Sequence, residues 1–260
     1  MLWRIDEWTI FVIALVVFGV VLEICFRVGR RSPSRGDENV RAHVGALQAA
    51  LLGLLALLLG FNFAVATSRF DSRKGLIQDE VNAIRTAFLR AQLLPAPQRQ
   101  EINGLLREYV AARIEFLRGG DDASRLEAAN ADAARIEEQL WSRAIAMVGE
   151  GGSTMPQGLF IQSLNEMFNI NDKRRAAHDN HVPETVINML FFVAVVSLGF
   201  IAYGHGLRSQ RRHGSAAIFA FLIALVLTLI LDLDRPRRGL IRVGEESMLR
   251  LQQTVDRSSP

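Results

Sequence analysis

The sequence predicts an all-α integral membrane protein, with four transmembrane helices and a soluble helical-bundle insert between the second and third. Three observations predict it. Half of the residues are apolar, and they gather in four blocks: 8–26, 44–68, 183–203 and 216–231. A bilayer core takes about 20 consecutive apolar residues in helical form. Outside the blocks the chain is rich in Arg, Ala, Leu and Glu, all good helix formers, and sustained apolar–polar alternation between turn dipeptides is nearly absent.

Residues 1–26 form the first transmembrane helix. They begin with Asp6, Glu7 and a single Arg4, a poor positive start for a secretory signal. Glu23-Ile24-Cys25-Phe26-Arg27 follows where small residues would mark a cleavage site, so the segment is retained. Cys25 is the only cysteine. It therefore forms no internal disulfide and acts as a small apolar residue. Glu23 and Arg27 stand four apart in the order that favours a helical ion pair; a titrating gate is the other reading. Residues 27–43 form a basic loop with Arg27, Arg30, Arg31, Arg35 and Arg41.

Residues 44–68 form the second transmembrane helix. Gly45, Ala49, Gly53, Ala56, Gly60 and Ala64 recur at helical spacing and fall on one stripe. Lipid gives no reward for burying Leu against Leu, so membrane helices associate through small residues that let backbones approach. The stripe is a helix-packing surface, within one subunit or between copies. Gln48 and Asn62 fall on the other side. Amides in lipid are costly, so these meet another helix through a hydrogen bond or line a polar pore.

The soluble insert occupies 69–182. The helical pattern runs on from the second block through Leu76, Ile77, Val81, Ile84 and Phe88, with Gly75 as the one interruption and a candidate kink, to Pro95-Ala96-Pro97. Further amphipathic helices are expected over 98–118, 123–148 and 157–180, separated by Gly119-Gly120-Asp121-Asp122 and by the Gly-rich 149–155. Their charged faces make the insert water-facing.

The third transmembrane helix covers 183–204, a basic loop 205–215 carries Arg208, Arg211 and Arg212, and the fourth helix covers 216–232. The apolar core of that fourth helix spans roughly 24 Å at 1.5 Å per residue, short of the hydrocarbon thickness, so snorkelling of Arg211, Arg212 and Arg235 is needed. Asp232 and Asp234 close it. Carboxylates there are candidates for a charged ring that favours cations; neutralisation by Arg235, Arg237 and Arg238 is the competing account. In the tail, 233–260, Pro236 and Gly239 exclude a long helix, and Met248, Leu249, Leu251 and Val255 predict a short amphipathic one over 245–256.

No catalytic signature occurs: no His-Glu-x-x-His, no Gly-x-Ser-x-Gly, no phosphate loop and no Rossmann glycine set. His178, Asp179, His181 and Glu184 have a metal-compatible spacing, but they read better as a solvated helix end. No catalytic residue, metal ligand or cofactor is assigned. The net charge is +3, and the arginines cluster beside the apolar blocks. That suits lipid headgroups as partners and gives no support for nucleic acid. The short-loop charge count places both basic loops in the cytoplasm and the insert outside. The ends of the insert are also basic (Arg69, Arg73, Lys74; Lys173, Arg174, Arg175), so charge leaves its side open.

Leu59-Gly60-Phe61, then seven residues, then Arg69-Phe70 resembles the second membrane helix of the bestrophin anion channels. The layout of two membrane helices, a long helical insert and two more helices is similar as well. Gly60 to Lys74 running into Glu80-Val81-Asn82-Ala83-Ile84, and Leu231-Asp232-Leu233-Asp234-Arg235-Pro236 with Gly239-Leu240-Ile241-Arg242-Val243, resemble a bacterial bestrophin-like family of unknown function over nearly the whole chain. The resemblance implies a homo-oligomer, a pentamer, in the bacterial cytoplasmic membrane, passing inorganic ions through an apolar constriction at Gly53, Leu57 and Phe61. Two departures stand out: Gly53 replaces a bulky residue, and Asp71 stands where a second aromatic is expected. The family also keeps its insert in the cytoplasm, against the loop count. The expected function is an oligomeric ion channel. The alternative is a membrane-anchored helical scaffold or sensor without conduction.

Overall fold

A computed structural model describes residues 6–120, 122–149, 155–179, 182–208, 213–234 and 246–257. Among them every regular element is helical: α1 (Glu7–Arg31), a 3-10 turn (Pro33–Gly36), α2 (Glu38–Ala91), α3 (Ala96–Arg118), α4 (Ala123–Gly149), α5 (Met155–Asp179), α6 (Glu184–Leu207), α7 (His213–Asp234) and α8 (Glu246–Arg257). Four of them contain segments long and apolar enough to cross a membrane: Trp8–Arg31, Glu38–Ala91, Glu184–Leu207 and Gly214–Asp234. The chain divides into two compact units. One holds α1, α2 as far as Phe70, α6 and α7; the other holds α2 from Asp71, α3, α4, α5 and α8.

The first unit packs around Ala14, Phe18, Leu55, Leu190, Ala194, Leu198 and Ala224. Phe18 stacks on Phe191 with ring centroids 5.4 Å apart. Helices α1 and α6 pack through glycines that the sequence reading had not singled out. A Cβ on Gly206 would strike the Phe26 carbonyl oxygen and lie 2.8 Å from the Arg30 nitrogen, and one on Gly29 would strike the Tyr203 carbonyl oxygen. Gly199 brings α6 onto Cys25, whose sulfur would lie 3.2 Å from an added Cβ. The outer side of α1 is a row of exposed apolar residues four apart: Trp8, Val12, Val16, Val20, Ile24 and Val28.

Helix bounds differ from the expected ones where local chemistry outweighs hydropathy. The first helix continues past residue 26 to Arg31, because Gly29 is held against α6. The basic loop thus shortens to the 3-10 turn and its flanks. Asp37 accepts from the Asn39 and Val40 amides at 2.9 and 3.4 Å and starts α2. Helix α2 then runs 54 residues without interruption. Gly75 does not break it, since one glycine costs only about 1 kcal/mol in a helix. Helix α7 has 22 residues, about 33 Å at 1.5 Å per residue, and its added ends are His213-Gly214-Ser215 and Asp232-Leu233-Asp234. Arg211, Arg212 and Arg235 lie outside the described residues.

The second unit is a helical bundle. Ile84, Phe88, Leu106, Tyr109, Ile136, Leu140, Phe160, Leu164 and Met167 form its core. The tail helix α8 belongs to it: Met248, Leu251 and Val255 are buried in the same core. Its register is the one the apolar spacing predicts.

Candidate functional site

Helix α2 presents two unlike sides in the first unit. Leu55, Asn62 and Ala66 are buried. Asn62 satisfies its amide within the helix, donating to the Leu58 carbonyl at 2.8 Å. The Gln48 side-chain oxygen lies against α6, 3.4 Å from where a Cβ on Gly204 would sit. Both amides therefore sit on the packed side.

The other side is open. Ala49, Gly53, Ala56, Gly60 and Ala64 are exposed, and Gly45 is half-buried. A Cβ added to Gly45, Gly53 or Gly60 would meet nothing within 4 Å. Leu57 and Phe61 stand beside them, 69% and 67% exposed. Gly53, Leu57 and Phe61 follow one another at single-turn spacing on a continuous helix, about 12 Å from first to last. No described part of the chain covers this surface. Among the described residues of this unit, the glycines in close contact with another helix are Gly29, Gly199, Gly204 and Gly206.

The carboxylates at the end of α7 are buried, Asp232 at 3% and Asp234 at 0% exposure. Asp234 accepts from the Val182 amide at 2.8 Å, just before α6 begins, and its other oxygen is 3.6 Å from the Arg69 guanidinium on α2. Arg69 is thus a described cation beside this carboxylate. Arg235, Arg237 and Arg238 lie outside the described residues. Glu23 and Arg27 form the expected ion pair at 2.5 Å, on the exposed side of α1. The His178 and Asp179 side chains and His181 also lie outside the described residues.

The second unit holds a buried polar network. Glu80 on α2 accepts from Arg113 on α3 at 2.6 Å and pairs with Arg174 on α5. Both guanidiniums lie over the Phe116 ring, 4.7 and 5.6 Å from its centroid, where the face of an aromatic attracts a cation. Nearby, Glu137 on α4 accepts from the Tyr109 hydroxyl at 2.9 Å and the Asn171 amide at 2.8 Å. Burial pushes the Glu137 carboxyl above its ordinary range, against the pull of those two hydrogen bonds and of Arg113. Burial likewise raises the Tyr109 phenol and lowers the Arg113 guanidinium.

These residues had a signal in the sequence. Glu80 falls three after Ile77 and four before Ile84, Arg113 four after Tyr109, and Arg174 four after Ile170. Each is a charge on the apolar stripe of its own helix, and such a charge must find a partner when the stripe is buried.

The sequence matches the family model described as Bestrophin-like domain over residues 15–248. No curated protein matches it. Its structure is similar to a crystal structure of a bacterial bestrophin homologue from Klebsiella pneumoniae, determined by Zn-SAD phasing. That similarity is at 18% identity, covering 95% of this chain and 96% of that one, with a TM-score of 0.64. Two single-mutation variants of that homologue match at 17% identity, with TM-scores of 0.65 and 0.66 and coverage of 95% of this chain and 96% and 97% of theirs. At such identity the likeness shows a shared fold. The family match runs from α1 through α7 into α8 and takes in both the open side of α2 and Glu80; the chain belongs to the Bestrophin-like domain family.

Proposed function

We propose that the chain is one subunit of an oligomeric ion channel in a bacterial cytoplasmic membrane. In this reading α1, the first part of α2, α6 and α7 cross the bilayer, and the remaining helices form a water-facing bundle. Copies meet along Gly45, Ala49, Ala56, Gly60 and Ala64, and Gly53, Leu57 and Phe61 face a common axis. Family resemblance suggests five copies. The observation that carries the proposal is the open side of α2: Leu57 and Phe61 are two-thirds exposed beside glycines at which an added Cβ would meet no described residue within 4 Å. An apolar ring of this kind gates by dewetting. The burial of Asp232 and Asp234 in their own unit argues against a ring of free carboxylates, so the path owes its selectivity to other groups.

The test is ion flux from liposomes containing the purified protein, wild type against Phe61→Ala. Trimming the ring widens the constriction, and flux should rise severalfold. Zero flux from both, together with a monomer in detergent, would favour the membrane-anchored scaffold instead.

A further inference from the structure

The outer surface where α1 and α6 meet carries an apolar groove of about 550 Å³, within the roughly 300–1,000 Å³ common for small-molecule sites. Val21, Cys25 and Val28 form one wall, and Val196, Gly199 and Tyr203 are among the residues of the other. The groove owes its floor to small residues, because Gly199 places no side chain over Cys25. Just beyond Val28 and Tyr203, Gly29 and Gly206 bring the two backbones together.

The helix ends beyond that approach are basic. The Tyr203 hydroxyl reaches the Ser32 hydroxyl at 3.5 Å, which ties the groove wall to the residue after Arg30 and Arg31. Both arginines are exposed in the last turn of α1, and Arg208 is exposed at the end of α6. Arg27 is already neutralised by Glu23. An apolar slot whose helices end in exposed arginines, beside a tyrosine, has the polarity of an anionic phospholipid, chain in the slot and phosphate on the arginines. The groove follows only about two turns of α1.

We infer that the α1–α6 groove holds an acyl chain of an anionic phospholipid whose headgroup phosphate sits on Arg30 and Arg31. The inference rests on the membrane reading above and concerns a surface apart from the proposed ion path. Cys25, the only cysteine, lies in the groove wall and reports on occupancy in the unaltered sequence.

The experiment is the rate of Cys25 alkylation by an N-alkyl maleimide. It uses delipidated protein in detergent, with phosphatidylglycerol or phosphatidylcholine added at equal concentration. Native mass spectrometry of retained lipid is run in parallel. Phosphatidylglycerol should slow alkylation at least fivefold and survive as a one-to-one adduct, while phosphatidylcholine changes the rate less than twofold. The Arg30→Gln/Arg31→Gln variant should lose that difference. Val196→Trp, or the milder Val196→Phe if the first misfolds, should lose the adduct. Equal protection by the two lipids, or protection only on self-association without lipid, overturns the inference. Whether the protein stays in the membrane fraction after an alkaline wash tests the membrane reading separately: retention without a lipid adduct sinks the groove alone.

Discussion

Glu80→Gln isolates what the buried charges of the second unit are worth. The Glu80 and Arg113 side chains have no exposure, and Arg174 is 8% exposed. One carboxylate therefore lies between two desolvated guanidiniums, with the Phe116 ring beneath both. Glutamine keeps the shape and can still accept from the Arg113 Nε–H, so the substitution removes the charge and leaves the packing. Breaking a buried ion pair by deleting one partner costs about 3–5 kcal/mol, because a desolvated charge loses its nearest counter-charge. Spread over a chain of this size, that is a fall in melting temperature on the order of 10 °C. Arg174→Met is the internal comparison. It leaves a one-to-one pair of Glu80 and Arg113 and removes one charged hydrogen-bonding group, about 1.5–3 kcal/mol. Far-UV circular dichroism of the full chain in detergent, followed against temperature, reads both. A Glu80→Gln protein within about 1 kcal/mol of wild type, or one more stable than Arg174→Met, would refute the reasoning.

Gly206→Leu drives a side chain into the Phe26 carbonyl and should destabilise the first unit by at least the 1–3 kcal/mol typical of overpacking. Gly53→Ala meets open space and should leave the monomer no less stable, with up to about 1 kcal/mol gained from helix propensity; size exclusion and thermal melting of the two variants separate these outcomes. Leu251→Ala removes a buried anchor of α8 and should cost about 2–5 kcal/mol, with earlier protease cleavage of the tail. Glu137 gives a pH signature. Its folded carboxyl is raised, chiefly by burial, so its stabilising contribution is complete below the unfolded value of about 4.3 and declines as pH rises through the folded one. Glu137→Gln should therefore be at least as stable as wild type at pH 8 and vary less between pH 4 and pH 8. A wild-type protein that loses no stability relative to the variant over that range contradicts this.

Much of the fold was legible because it rests on properties carried by single segments. Four long apolar runs, the amphipathic spacing of the insert and the Met248, Leu251 and Val255 stripe of α8 each state their element without reference to a partner. The Glu23–Arg27 pair is legible for the same reason, since both ends lie on one helix. Helix ends were less so. The extension of α1 to Arg31 depends on α6, which a window along the chain does not see.

Pairings between distant segments came only with the tertiary structure. From sequence, the glycines of α2 and those at positions 29, 199 and 206 are equally able to let helices touch. Only the packed chain shows that the second set is used within it, and that an added Cβ at Gly45, Gly53 or Gly60 would meet no described residue within 4 Å. The same holds for charge. Asp234 beside Arg69, and Glu80 beneath Arg113 and Arg174, join residues far apart in sequence. Spacing along one helix indicates that a charge on an apolar stripe needs a partner, and long-range folding alone selects which one.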